Sequence, residues 1–93
     1  MIEGEASIST EILARYASDA ARAVDGVRDL AGRRGCRVDE EGRVQLRLEV
    51  AWGSPIPTVG RTVQERVRDY LAGMAQLEEP VVDVVVERVG PVR

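Results

Sequence analysis

The sequence lacks histidine, lysine, asparagine and phenylalanine, so all thirteen of its basic residues are arginines. Without His and Lys the chain cannot form a Ser-His-Asp triad, a Cys-His dyad, a Schiff-base or P-loop lysine, or a histidine metal cluster. These absences exclude most classes of enzyme. We therefore predict a protein that is not an enzyme, with no catalytic, cofactor-binding or metal-binding residue.

Cysteine and long apolar segments are also scarce. Cys36 is the single cysteine, so no disulfide within the chain can stabilise the fold. No apolar run approaches the ~18 residues that a transmembrane helix needs, and the acidic N-terminus lacks the basic and apolar regions of a signal peptide. We expect a cytoplasmic protein with a reduced thiol and no direct insertion into a membrane.

The length of 93 residues allows one small domain, and a hydrophobic content of 44% argues against disorder. The net charge is −3. Because affinity for nucleic acids comes largely from neutralising phosphates, this charge argues against a nucleic-acid partner.

A first helix is predicted after Ser9 and Thr10, which are both good N-caps, and Glu11 suits its first turn. Gly26 is predicted to end it in a left-handed conformation, with Val27 packing back on the helix. Residues 5–8 alternate like a short extended segment, and residues 28–35 are interpreted as a polar connector. The apolar stripe of this helix comprises Ile12, Leu13, Tyr16, Ala17, Ala20, Val24 and Val27.

A β-hairpin is predicted next, with strands over residues 36–39 and 43–52 and a turn at Glu40-Glu41-Gly42. The longer strand alternates between apolar and polar side chains, which is typical of a sheet with one buried face. The residues assigned to that buried face are Val44, Leu46, Leu48, Val50 and Trp52. On the solvent face, the mixed charges of Arg37, Arg47, Glu49, Asp83 and Glu87 predict cross-strand ion pairs.

A second helix is predicted from Pro57, because Ile56 precedes a proline and is pushed away from helical angles. Gly60 lies inside this helix at a cost of ~1 kcal/mol relative to Ala, which indicates a close backbone approach. Residues 81–89 form the last strand, whose core face carries Val82, Val84 and Val86. The apolar stripe of the helix comprises Val59, Val63, Val67, Tyr70, Leu71 and Met74.

These elements predict an α+β fold: a two-layer sandwich with two helices packed on one face of a three- or four-stranded mixed sheet. The second helix returns the chain, so the last strand should run parallel to the long one. A fourth strand depends on residues 5–8. The domain is expected to span residues 5–89, with short tails at 1–4 and 90–93.

Several groups could carry chemistry, and in each case a structural interpretation is favoured. Cys36 is interpreted as a small buried hydrophobe, with a reactive thiol near Arg33 as the alternative. The acidic turn at residues 39–41 lacks the ligand spacing of a calcium loop, and Glu78-Glu79 is interpreted as a solvated helix end. The basic cluster of Arg33, Arg34 and Arg37 is interpreted as a solvated loop, with phosphate or an acidic membrane surface as the alternative.

An interface is predicted on the closing strand. Val81, Val85 and Val89 are placed opposite the core-facing valines, which makes the second face of that strand more apolar than a solvent-exposed face should be. We therefore expect a homo-oligomer. Trp52 has two interpretations: an aromatic residue at the edge of the core, which is favoured, or an interface anchor.

Several segments in order resemble the alkaline shock protein twenty-three family. They are Ile8-Ser9-Thr10-Glu11-Ile12-Leu13, Val24-Asp25-Gly26-Val27, Trp52-Gly53-Ser54-Pro55-Ile56-Pro57, Val63-Gln64-Glu65-Arg66-Val67 and Val82-Asp83-Val84-Val85-Val86. The resemblance covers roughly Glu5 to Val89.

The resemblance implies a cytoplasmic bacterial protein of the envelope or alkaline stress response, with no established catalytic residues. It also implies self-assembly and a position near the membrane through a small membrane-anchored partner protein. We therefore expect a non-enzymatic assembly or scaffold protein without cofactors. The alternative is a small α+β nucleic-acid-binding module.

Overall fold

The computed structural model describes residues 9–32, 35–74 and 80–90. Residues 5–8, with the fourth strand predicted from them, and Glu78-Glu79 lie outside these ranges. The elements are α1 (Thr10–Arg22), β1 (Val27–Leu30), β2 (Cys36–Val38), β3 (Val44–Ala51), α2 (Ile56–Met74) and β4 (Val82–Gly90). Gly90, which the sequence assigned to a tail, is the last residue of β4.

Strand β3 is the centre of the sheet. β4 runs parallel to it along the whole of one edge, from the pair Val44–Val82 to the pair Ala51–Gly90. β1 and β2 run antiparallel to β3 and share its other edge, β2 opposite residues 44–46 and β1 opposite residues 48–50. The predicted mixed sheet, with its last strand parallel to the long one, is confirmed.

β1 corrects the prediction of a polar connector over residues 28–35. The strand could not be recognised in the sequence, because its register shifts between Val27 and Asp29 and the alternation of apolar and polar residues is lost there. Leu30 is nevertheless buried and pairs with Leu48. α1 already ends at Arg22, so Val27 belongs to the sheet and does not close the helix.

Both helices begin as their local sequences require, with one shift of boundary. The hydroxyl of Ser9 accepts a hydrogen bond from the Ile12 N–H at 3.2 Å, which confirms the predicted N-cap. α2 begins at Ile56, one residue earlier than predicted. The Val59 N–H donates to the Pro55 carbonyl at 2.9 Å, so the helical hydrogen bonding includes the residue before Ile56.

The core lies between the helices and one face of the sheet, as the predicted two-layer sandwich requires. Among the described residues no polar or charged side chain is buried. Trp52 is 68% exposed, so the interpretation as a core-edge residue is wrong. The buried residues are Leu13, Ala17, Ala21, Val24, Leu30, Val44, Leu46, Leu48, Val50, Val59, Val63, Val67, Leu71 and Val82.

A β-bulge in β4 changes which residues share a face. Leu48 pairs with Val86 but Glu49 pairs with Arg88, so Glu87 is an extra residue. Beyond the bulge Val89 pairs with the buried Val50. Val89 therefore lies on the helix side of the sheet, and its predicted place beside Val85 on the outer face is wrong.

Candidate functional site

The outer edge of β4 is the edge that faces away from β3. The Val44 N–H donates to the Val81 carbonyl at 2.9 Å, so Val81 directs its backbone groups towards β3. Because these directions alternate along a strand, the backbone groups of Val82, Val84 and Val86 point to the outer edge. No strand in the described ranges pairs with β4 on that edge.

Gln64 of α2 covers the first of these outward groups. Its side-chain Nε2 donates to the Val82 carbonyl at 2.8 Å. This hydrogen bond satisfies a carbonyl that the sheet leaves without a partner. The open part of the edge therefore begins at Val84.

A groove with both apolar and polar lining residues runs along this edge, between α2 and the helix-side face of β4. It has a volume of about 400 Å³ and is open to solvent. Gly60 lies in its wall, and a Cβ atom built there would meet nothing within 4 Å. The close backbone approach predicted for Gly60 is therefore wrong. The lining residues are Ile56, Pro57, Gly60, Arg61, Gln64, Val84 and Val86.

On the outer face, Val85 is 46% exposed among charged neighbours. Its partner in register, Arg47, donates from Nε to Glu87 Oε2 at 3.0 Å. Arg28 Nη1 lies 2.8 Å from Glu49 Oε2. The contact between Arg47 and Glu87 confirms one predicted cross-strand ion pair, whereas the partner of Glu49 is Arg28, which the prediction did not include. The Arg47 side chain forms its ion pair with Glu87, and this leaves the Val85 side chain partly exposed to solvent.

The four predicted interface residues are all exposed, but they do not form one stripe. Val85 lies on the outer face, Val89 on the helix side, and Val81 just before β4. The Trp52 N–H donates to the Gly90 carbonyl at 2.7 Å, which places Trp52 at the end of the sheet where β4 ends. The structure thus brings Trp52 to β4, as the interface hypothesis needs, but at its far end.

Sequence reasoning missed the groove, which combines Val84 and Val86 with Ile56 and Gly60 of α2. One signal could have found it. The signal is Gly60 itself, because a glycine inside a helix lowers helix propensity and asks for an explanation. A Cβ built there would meet nothing within 4 Å, so no contact within the described chain requires a glycine. Val84 and Val86 occupy ordinary core positions in the sequence pattern, so they gave no separate signal.

Cys36 is half-buried beneath α1. Its thiol lies 3.5 Å from the Ala14 carbonyl oxygen, to which it donates. Burial raises the pKa of the Cys36 thiol, which favours the protonated, unreactive form. This environment supports the interpretation of Cys36 as a small packing residue.

The acidic turn after β2 is held together by its own hydrogen bonds. Asp39 Oδ1 accepts from the N–H groups of Glu41 and Arg43, both at 2.9 Å, and Gly42 takes a positive φ of 86°. In the ranges that the structure describes, no group of three or more His, Cys, Asp or Glu residues could hold a metal ion. Arg33 and Arg34 of the basic cluster lie outside these ranges, and Arg37 is exposed.

Comparison of the chain with protein-family models, with curated proteins and with solved structures found no match. Across the described residues, neither helix has the length and apolar character needed to cross a membrane. The candidate site therefore depends on its geometry: the open edge of β4, the groove beside it and the exposed valine on its outer face.

Proposed function

We propose that the chain is a non-enzymatic assembly or scaffold protein that acts through self-association and protein partners, with β4 as its contact strand. One observation carries the proposal. β4 is the longest strand, with nine residues, and its outer edge meets no other described strand. Strand edges of this kind pair readily with other chains.

The exposed apolar side chains around β4 support the same conclusion. Val81 and Val85 are 48% and 46% exposed, and Trp52 lies where β4 ends. Covering apolar surface stabilises an assembly by roughly 25 cal/mol per Å² before the costs of association. A small domain with a thin core gains stability from such contacts.

The resemblance in sequence extends the proposal to a setting in the cell. We place the protein in the cytoplasm, in a bacterial envelope or alkaline stress response, near the membrane through a small membrane-anchored partner. This part of the proposal is supported by the motifs at residues 8–13, 24–27, 52–57, 63–67 and 82–86.

Charge favours protein partners over nucleic acid. Arg28 and Arg47 on the outer face are already engaged by Glu49 and Glu87. An arginine that neutralises a carboxylate contributes little to phosphate binding unless that ion pair is broken. The net charge of −3 acts in the same direction.

Sedimentation equilibrium tests the proposal. We expect the wild type to self-associate below ~100 μM and Val85→Lys to remain monomeric, because the substitution places a charge on the contact strand. Ile12→Lys is the matched control: Ile12 is also an apolar residue with 46% exposure, but it lies on α1. A wild type that stays monomeric at ~100 μM would exclude the proposal, since an interface with a Kd of about 10 μM would then be mostly filled.

A further inference from the structure

Building on the self-association proposed above, we propose that two copies join antiparallel through the outer edges of β4, with Val85 of one copy directly opposite Val85 of the other. The occupant of the groove is then the second copy of this strand. Backbone directions, side-chain faces, charge and the groove each support this register.

The backbone groups define the centre of the pairing. Val84 and Val86 direct both N–H and C=O to the outer edge, whereas Gln64 already occupies the Val82 carbonyl. With Val85 opposite Val85, Val84 of each copy pairs with Val86 of the other. Both residues then exchange hydrogen bonds with the second copy, and Val85 forms a non-hydrogen-bonded pair between them.

Side-chain faces agree with the same centre. Residues directly opposite in an antiparallel pair lie on the same face. Val84 and Val86 both lie on the helix side, because their partners in β3 are the buried Leu46 and Leu48. A shift of one residue would place Val85, on the outer face, against a helix-side valine.

The bulge makes the charges complementary. The extra residue Glu87 belongs to the backbone of β4, so a strand on the outer edge meets it as β3 does. Beyond it, Asp83 of one copy stands opposite Arg88 of the other, on the outer face. Without the bulge Asp83 would meet Glu87, a like-charge pair. Arg88 takes part in no ion pair within the described ranges, so it is available to the second copy.

The groove offers room for the second strand. In the joined sheet, Val84 and Val86 of the second copy lie beside their counterparts on the helix side, next to α2. Gly60 leaves open space there, and Ile56 offers apolar surface at the groove's end. None of the residues that line this groove belongs to α1.

A charge exchange tests the register. Asp83→Arg places arginines opposite each other, and Arg88→Asp places aspartates opposite each other, so each variant alone should associate roughly tenfold more weakly than the wild type or worse. An equimolar mixture of the two variants restores both opposite-charge pairs, and we expect it to form a heterodimer with near wild-type affinity. Recovery in the mixture also shows that both variants are folded.

Cross-linking provides a second measurement, in a Cys36→Ser background. In the proposed register the Cα atoms of the two Val85 residues lie about 4.5 Å apart, within disulfide range. Val85→Cys should therefore form a disulfide-linked dimer under mild oxidation. Val81→Cys is the matched control, because Val81 has nearly the same exposure but lies far from its own copy across the axis.

The outcomes separate the register from the self-association. A wild type that is monomeric overturns both. A wild type that dimerises, with no Val85→Cys disulfide and no recovery in the charge-exchange mixture, overturns the register alone. Amide exchange gives a third outcome: Val84 and Val86 should become protected as concentration rises. If the amides of Val84 and Val86 are as well protected in dilute monomer as in concentrated protein, a segment of the same chain, such as residues 1–8, covers the edge. That result also overturns the proposal.

Discussion

The two edges of the sheet differ in almost every respect that governs strand pairing. On one edge of β3, β1 and β2 have four and three residues and are separated by a connection. On the other edge, β4 has nine residues and continues along the whole of β3. A single sheet thus combines an edge built from fragments with an edge built from one long strand.

The β1–β2 edge is tied back to the rest of the molecule. Arg22 of α1 donates from Nε to Asp29 Oδ1 at 3.3 Å, and Arg28 pairs with Glu49 of β3. Short, charged and interrupted strands are the usual means of preventing a sheet edge from pairing with other chains. The β4 edge has none of these protections from Val84 to Val86. Of the two edges, it is therefore the one suited to pairing with another chain.

The largest effect should come from Leu48, which supports both edges at once. It is fully buried and pairs with Leu30 of β1 and with Val86 of β4. We expect Leu48→Ala to lower the free energy of unfolding by roughly 2–5 kcal/mol, measured by chemical denaturation. Ile12→Ala is the control at an exposed site on α1, away from the proposed contact strand, and should change little. An unchanged midpoint for Leu48→Ala would contradict the burial of this face.

A smaller effect should separate the two edges. At Gly35, before β2, an added Cβ would lie 2.6 Å from Leu30 Cβ and 2.8 Å from the Ala31 backbone nitrogen. Because backbone cannot move aside cheaply, we expect Gly35→Ala to cost about 1–3 kcal/mol in denaturation experiments.

Gly90→Ala, at the end of β4, is the matched comparison for Gly35→Ala. Its added Cβ would approach the tips of the Glu49 and Arg28 side chains, which can rotate away. It should therefore cost less than Gly35→Ala. Equal costs would show that the chain at Gly35 is no more tightly packed than the end of β4.

Gly60→Ala should stabilise the isolated chain. The residue lies within α2, and its missing side chain would enter open space. We expect a gain of about 0.5–1 kcal/mol in thermal or chemical unfolding of dilute protein, because Ala favours a helix more than Gly does. A loss of stability would mean that the groove is occupied within one chain.

The smallest effect is a dependence on pH at the β1–β2 edge. A hydrogen bond from the Leu30 N–H, and then the Arg22 side chain, lower the pKa of Asp29 below its ordinary value of 3.8. The Arg43 N–H lowers the pKa of Asp39 in the same way. A depressed pKa in the folded state gives stability that is present above pH 3.8 and is lost as the pH falls through the folded value.

Carboxyl titration by NMR should show low pKa values for both aspartates. Asp39→Asn should weaken the decline of stability in acid, because it removes one of the groups that must be protonated. If the free energy of unfolding falls in acid as steeply for Asp39→Asn as for the wild type, the role assigned to this turn is contradicted.

The helices and the long strand could be predicted because their signals are local. Ser9 supplies an N-cap, β3 alternates, and Gly42 marks the turn. β1 could not be predicted, because two charged residues at a register shift conceal its pattern. The position of Trp52 was missed because alternation was extended one residue past the end of β3, where Gly53 turns the chain with a φ of 89°.

The candidate site was predicted only in part. The exposure of Val81 and Val85 followed from the sequence, but the bulge at Glu87 moves Val89 to the other face, and one extra residue leaves no mark on a run of valines. The groove depends on where α2 lies across β4. That position is set by packing between distant segments, which no local pattern records.

The interruption between β1 and β2 also sets a stoichiometry. In the described sheet only the β4 edge is open to pairing, so each copy can join one other copy through it. Once β4 is paired with β4, that edge is covered in both copies and no further copy can add by the same contact. Such a pair is a finite unit, unlike the open-ended stacking of sheets with two bare edges. A scaffold larger than two copies would require a second, chemically different surface, and the exposed Trp52 at the end of the sheet lies outside the edge that the pair uses up.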